Sequence, residues 1–286
     1  MKREIKSWVF IIPAFVLIIT FVFYPMIQAL FTSFQTGLGN NLSFGGLDNY
    51  RRLLTDTIFR RALTNTLLYL VIQVPIMVLL ALILSTMLND RKLKFKGVFR
   101  TAIFLPCVTS LVASSIIFRS LFSFDGFVNA ALLNLNIIGD PISWLTNPFW
   151  ARTLIIIAIT WRWTGYNMVF YLAGLQGIDG SIYEAAEIDG AGAFAKFKSI
   201  TLPLLRPIIL FTTINSTIGT LQLFDEPFNI TDGGPANATI TISHYIYNVL
   251  FRYTPNFGYA AAISYVIVAL IVLLAFIQLK VGDRSD

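Results

Sequence analysis

Six apolar runs, each close to the ~20 residues a helix needs to cross the hydrocarbon of a bilayer, fall at about 8–28, 67–88, 102–122, 154–175, 204–224 and 259–279. In hydrocarbon the main chain has no water to bond to, so a spanning segment must satisfy its own amides as a helix or close into a barrel. Runs of this length point to helices. Of the residues, 56% are hydrophobic and 13% charged, with a mean hydropathy of +0.72, too apolar for a water-soluble domain of 286 residues. The expected fold is an all-α membrane protein of six transmembrane helices in a single membrane domain over 1–286. The first run is longer than the roughly 7–15-residue core of a cleaved signal and lacks a small-x-small site after it, so it is expected to remain as a helix.

Lys and Arg mark the cytoplasmic side of short loops. Lys2, Arg3 and Lys6 precede the first run, and Arg91, Lys92, Lys94, Lys96 and Arg100 crowd the connection after the second. Both belong inside, which with six spans places Lys196, Lys198, Arg206 and both termini in the cytoplasm. Arg51, Arg52, Arg60 and Arg61 fall outside, on an amphipathic segment at the interface before the second span. The formal charge of +6 is explained by this topology, and no nucleic-acid role follows.

Several chemistries are excluded. The chain has no G-x-x-x-x-G-K-[ST] phosphate loop, so it is not expected to bind ATP itself. Its one cysteine, Cys107, lies in an apolar run as an inert thiol, and its one histidine, His244, has no partner at metal-ligand spacing and reads as a loop or interface residue. Neither a metal site nor a catalytic Ser-His-Asp arrangement is expected. Asp225 and Glu226 read as acids at the end of a loop near the outer mouth.

Between the fourth and fifth runs lies a polar, glycine-interrupted stretch over 181–207. Ser181 with Glu184 three residues on forms a capping-box pattern that predicts a helix from Ile182 to about Asp189. Gly190 offers a stop, and a second helical stretch through Phe197 is expected to end before Pro203. The result would be a helical elbow, made to fit closely against something by its small residues. On either side of it the spans carry polar and aromatic groups: Trp161, Arg162, Trp163, Tyr166 and Asn167 before, and Thr212, Ser216 and Thr220 at i, i+4 and i+8 after. Aromatic faces beside amides suit a sugar. The two tryptophans equally suit an interfacial belt, and a hydroxyl face equally suits helix packing.

The run EAA-x-x-DGA over 184–191 resembles the signature loop of bacterial ATP-binding-cassette importer permeases. The Thr231-Asp232-Gly233-Gly234-Pro235 run and the FGGLDNY run over 44–50 are similar to outer-loop sequences of their carbohydrate-uptake members. The length and span number resemble the six-span maltose-, lactose- and arabinose-type form. The resemblance implies that Glu184, Ala185, Ala186, Asp189, Gly190 and Ala191 seat in a cleft of a cytoplasmic ATPase. ATP and Mg are then bound by that partner, and this chain holds no cofactor. It implies sugar contacts from Trp161, Trp163, Tyr166, Ser216, Thr220 and Leu223, the last apolar where a sugar would favour an amide. The implied partners are a second homologous permease, two ATPase subunits (or a homodimer of one) and an extracytoplasmic sugar-binding protein, in the bacterial inner membrane with its lipid. Import would proceed by alternating access. A glycerol phosphate or polyol importer, with Arg162 as anion partner, stands as the alternative. An ion-coupled secondary transporter would need membrane-embedded carboxylates and repeated halves that the sequence does not display.

Overall fold

A computed structural model describes residues 11–39, 41–90 and 92–283. Lys2, Arg3, Lys6, Arg91 and Arg284, and the start of the first expected span, lie outside them. The described chain runs through α1 (Ile11–Ser33), a hairpin of β1 (Gln35–Leu38) and β2 (Asn41–Phe44), α2 (Asp48–Thr55) and α3 (Thr57–Asn89). It continues through α4 (Lys96–Val108), α5 (Leu111–Leu121), α6 (Phe127–Asn134), α7 (Pro148–Gln176) and α8 (Gly180–Ile188). Then come α9 (Ala193–Leu221), α10 (Ile242–Tyr247) and α11 (Phe257–Asp283).

Among the described residues four helices, α1, α3, α9 and α11, are long and apolar enough to cross a membrane. The run expected as one helix over 102–122 is two. α4 and α5 meet at a 101° bend and would make one further, broken span. Pro106, without an amide hydrogen, sits in the last turn of α4, and Ser110 caps α5 by accepting from the Ala113 amide at 3.5 Å. α7 has 29 residues but interrupts its apolar run with Arg152, Arg162 and Asn167, all turned toward protein rather than lipid.

The described residues pack as two compact units, those within 11–60 with 245–269 and those within 61–244 with 270–283. In the first, β1 and β2 pair antiparallel with Gln35 opposite Phe44, and α2 is pinned beneath them. The Asn49 amide donates to the Ser33 and Gln35 carbonyls at 2.9 and 2.7 Å, and Tyr50 shares a 2.7 Å hydrogen bond with Ser33. Asp56 ends α2 and starts α3. One carboxylate oxygen accepts from the Ile58 and Phe59 amides at 2.8 and 3.0 Å, as an N-cap does. The other accepts from the Tyr245 and Tyr259 hydroxyls at 2.5 Å each. Arg52, expected on an interfacial segment, lies 4.0 Å over the Tyr259 ring.

In the second unit α7 is the central helix, with fourteen of its residues buried. Leu154, Ile155 and Ile159 pack with Tyr69, Phe118 and Trp144, and Met168, Tyr171 and Leu175 pack with Ala81, Leu88 and Leu205. Asn129 closes the connection between α6 and α7, donating to the Phe124 and Ile142 carbonyls at 2.9 Å and accepting from the Trp144 indole at 3.0 Å. Asn65 donates to the Asn237 and Ile240 carbonyls, and Arg152 to the Ala238 carbonyl and Asn65, so the loop after α9 is held through its main chain. Against Gly165 of α7 the backbone of α4 comes so close that a Cβ would lie 2.0 Å from the Ile103 carbonyl oxygen.

Gly165→Val should therefore push α4 off α7 and destabilise the protein by about 3 kcal/mol, read as a lower unfolding temperature in detergent. A second expectation concerns Asp56. Burial raises its pKa, but the hydrogen bonds from Tyr245, Tyr259 and the two amides outweigh burial and hold it below the ordinary carboxylate value. A depressed carboxylate contributes stability that is complete above its unfolded value and is lost as pH falls through the folded one. Wild-type unfolding temperature should fall on acidification below about pH 5. Asp56→Asn should start lower at neutral pH and fall less.

Candidate functional site

The second unit holds an open cavity of about 410 Å³, within the range of small-molecule sites. α7 gives it Ile159, Trp163, Tyr166 and Asn167, one helical face at spacings of three and four. α9 gives Phe211, Asn215, Ser216, Gly219 and Thr220, and α3 gives Gln73 and Met77. The segment after α9 closes it with Gln222, Leu223, Phe224, Asp225 and Glu226, and Leu111 comes from the start of α5.

Its polar groups are held in place. Thr220 donates to Gln73 Oε1 at 3.3 Å, and the Gln73 and Asn167 amides both rest on the Met77 sulfur at 3.3 Å. Asn167 also donates to the Trp163 carbonyl at 3.1 Å, while its own Oδ1 is buried without a hydrogen bond. Trp163 and Tyr166 meet edge to face at 5.8 Å, a rigid aromatic corner that extends through Phe170 to Phe211. No Lys, Arg or His is among the lining residues.

Of the residues singled out from the sequence, Trp163, Tyr166, Asn167, Ser216 and Thr220 thus come together. Trp161 and Arg162 do not, because at 100° per residue they face other ways. Trp161 packs on Phe118 at 5.3 Å and is 44% exposed. Arg162 is buried and donates to the Thr109 and Cys107 carbonyls at 3.1 and 3.5 Å, at the broken end of α4. The hydroxyl face of α9 divides: Thr212 bonds Tyr171 at 2.8 Å in the helix contact, and Ser216 and Thr220 face the cavity. Gln73 was not foreseen, although a lone amide within the apolar run LVIQVPIMV is a readable signal. Glu226, expected at the end of a loop near the outer mouth, is 5% exposed. His244, expected in a loop or interface, is buried with its ring edge against Phe224 and Phe228.

The elbow follows α7. Its helix starts two residues earlier than the capping box predicts, because Asp179 is the cap: its carboxylate accepts from the Ser181 amide at 3.0 Å, which lowers its pKa. Gly190 turns the chain at φ +79°, and the Ala191 amide returns to the Ala186 carbonyl at 2.8 Å. Glu184, Ala185, Asp189 and Gly190 are exposed and Ala186 and Ala191 half-buried. Lys196 bridges back to Glu187 at 2.5 Å, and its hydrogen bond and charge hold that carboxyl below its ordinary value. Contrary to expectation the helix does not end before Pro203. A π-turn over Phe197–Thr201 absorbs the missing amide, and the helix runs on to Leu221.

No group of His, Cys, Asp or Glu that could hold a metal ion occurs among the described residues. The cavity lining holds neutral donors and acceptors, aromatic faces and two acids.

Residues 89–284 match the family described as binding-protein-dependent transport system inner membrane component. The lactose transport system permease protein of Rhizobium radiobacter is 58% identical over 277 residues, covering 96% of this chain and 93% of that protein. The arabinooligosaccharides transport system permease protein of Halalkalibacterium halodurans is 37% identical, covering 99% and 91%. A crystal structure of a bacterial ABC transporter involved in the import of the acidic polysaccharide alginate has the same fold, with a TM-score of 0.87 at 23% identity over 99% of this chain and 97% of that one.

Proposed function

Because the chain belongs to the family of binding-protein-dependent transport system inner membrane components, we propose that it forms half of the translocation path of an ATP-driven sugar importer. It is a transport subunit and not an enzyme, and its relatives are sugar permeases. One observation carries the finer reading: an apolar helical unit holds an open polar and aromatic cavity, walled chiefly by the two helices that flank an exposed elbow. Sugar would lie with its C–H face on Trp163 or Tyr166 and its hydroxyls on Asn215, Ser216, Thr220 and Gln73. The anionic alternative gains no support from Arg162, whose Nη2 is turned to main-chain carbonyls.

The chain would cross the membrane six times as a single permease domain, with α4 and α5 as one broken span and α7 completing the six, its polar residues facing inward. The elbow, with Glu184, Ala185, Ala186, Asp189, Gly190 and Ala191, would dock on a separate ATPase that binds ATP and Mg. Two features of the elbow support this. Its helix stands clear of the unit, with Ile188 88% and Phe194 76% exposed. Lys196 and Lys198 sit in its second helical stretch, and Lys92, in the connection between α3 and α4, bears electrostatically on its Glu187, as on a cytoplasmic side. A second permease would supply the other wall, and an extracytoplasmic binding protein would deliver the sugar. The solved alginate importer has been seen in complex with a pentasaccharide-bound periplasmic protein. ATP-driven closure of the ATPase pair would swing both elbows and open the cavity outward.

The test is ATP hydrolysis and uptake by the full complex in liposomes, with sugar-loaded binding protein on the outside. Stimulation by one sugar supports the reading, whereas assembly without an ATPase, or uptake driven by an ion gradient alone, would sink it. Gly190→Leu should lower stimulated hydrolysis by about tenfold while insertion and folding stay normal, because a side chain at positive φ spoils the turn. Trp163→Ala should raise the half-saturating sugar concentration by about threefold to tenfold. Trp161→Ala should leave it unchanged.

A further inference from the structure

Glu226 is the one acid of the cavity lining that has left water almost completely. It is 5% exposed, and its Oε1 has no hydrogen-bond partner. It faces two spaces at once: the main cavity, and a small pocket behind it lined by Ser114, Ser115, Phe118, Trp161, Arg162 and Ile230. In that pocket Arg162 Nε and Nη1 are also buried without acceptors, and no ion pair within 4.0 Å joins the two side chains. A buried carboxyl oxygen without a donor is costly, and a protein keeps one where a bound group completes it. Its neighbour Asp225, half-buried, lines the cavity beside it, and Arg162 in the pocket behind gives its Nη2 to the carbonyls at the end of α4.

The backbone holds this arrangement. Glu226 precedes a π-turn over Pro227–Thr231, the Asn229 amide donates to the Asp225 carbonyl at 2.8 Å, and Phe224 stacks on Phe228 at 4.9 Å. The carboxyl is therefore set on a fixed segment rather than on a solvated loop.

We propose that Glu226 is a specificity-determining residue of the cavity, accepting hydroxyl hydrogens of an uncharged sugar and excluding sugars that carry a carboxylate or phosphate. This deepens the sugar reading above and rests on it. A hydroxyl supplies the donor that Oε1 lacks. An anionic group at the same place would face the carboxyl groups of Glu226 and half-buried Asp225 with no Lys, Arg or His among the lining residues, and like charges held close together repel. The chain would thus differ in substrate class from a relative of the same fold that handles an acidic polysaccharide.

The test compares binding of lactose with binding of its isosteric uronate, lactose oxidised to the carboxylate at C6 of its galactose unit, to the complete detergent-solubilised complex without the delivering protein, by titration calorimetry at neutral pH. The wild-type complex should favour lactose by about tenfold or more. In the Glu226→Gln variant the preference should shrink to within about threefold, chiefly through tighter binding of the uronate, and Glu226→Asp should keep it. A merely structural role would weaken both sugars alike and leave their ratio unmoved, which would overturn the proposal. Equal binding of the two by wild type would overturn it even if neither variant assembles, while leaving the sugar reading in place. Binding of neither by an assembled complex would remove that reading and this role with it.

Discussion

Main-chain carbonyls freed inside an apolar unit have to find donors, and the architecture around the cavity depends on how one such set is met. Where α4 breaks, its last carbonyls, on Cys107 and Thr109, receive the guanidinium of Arg162. A cation at a helix C-terminus also answers the negative end of the helix dipole. The same helix that carries Arg162 carries Gly165, against which α4 rests backbone to backbone, so α4 is tied to α7 by a charge at its end and a close approach along its side. With α4 fixed, α5 departs at its steep angle and brings Leu111 to the cavity wall. Arg162 is held by this structural task, which leaves the cavity to neutral donors and to acids.

The long elements were legible because apolar length is a strong signal where the chain must satisfy itself. What length averages over is the interruption. Pro106 followed by Thr109 and Ser110 were readable as a stop and a cap, yet the run FLPCVTSLVASS stays apolar enough to pass as one span. Asp179 outcompeted Ser181 as the helix cap because it stands two residues earlier and its carboxylate is the better acceptor. Pro203 read as a terminator, but a widened turn before it removes the clash that would have ended the helix.

At the site, legibility followed angle. Trp163, Tyr166 and Asn167 share a face at spacings of three and four, and the structure places them together, while Trp161 and Arg162, one or two residues away, look elsewhere. Composition had grouped all five. Gln73 was hidden in an apolar run on a helix distant in sequence, and only tertiary packing sets it beside Thr220. Glu226 was misjudged for the opposite reason, since two adjacent acids after a span read as solvated, and it takes the fold-back of the following π-turn to bury one of them.

That kind of widened turn also has a consequence at the other end of α9. A π-turn is in effect a single residue inserted into an α-helix, and each residue turns the helix by about 100°. The turn over Phe197–Thr201 therefore sets the angular phase between the elbow and everything beyond it. Without it the stripe bearing Ser216 and Thr220 would point about a quarter-turn away from Tyr166 while the elbow kept its place. The two ends of this helix are geared to each other by one residue of backbone, and a length change there would shift the aim of the cavity without touching a single residue that lines it.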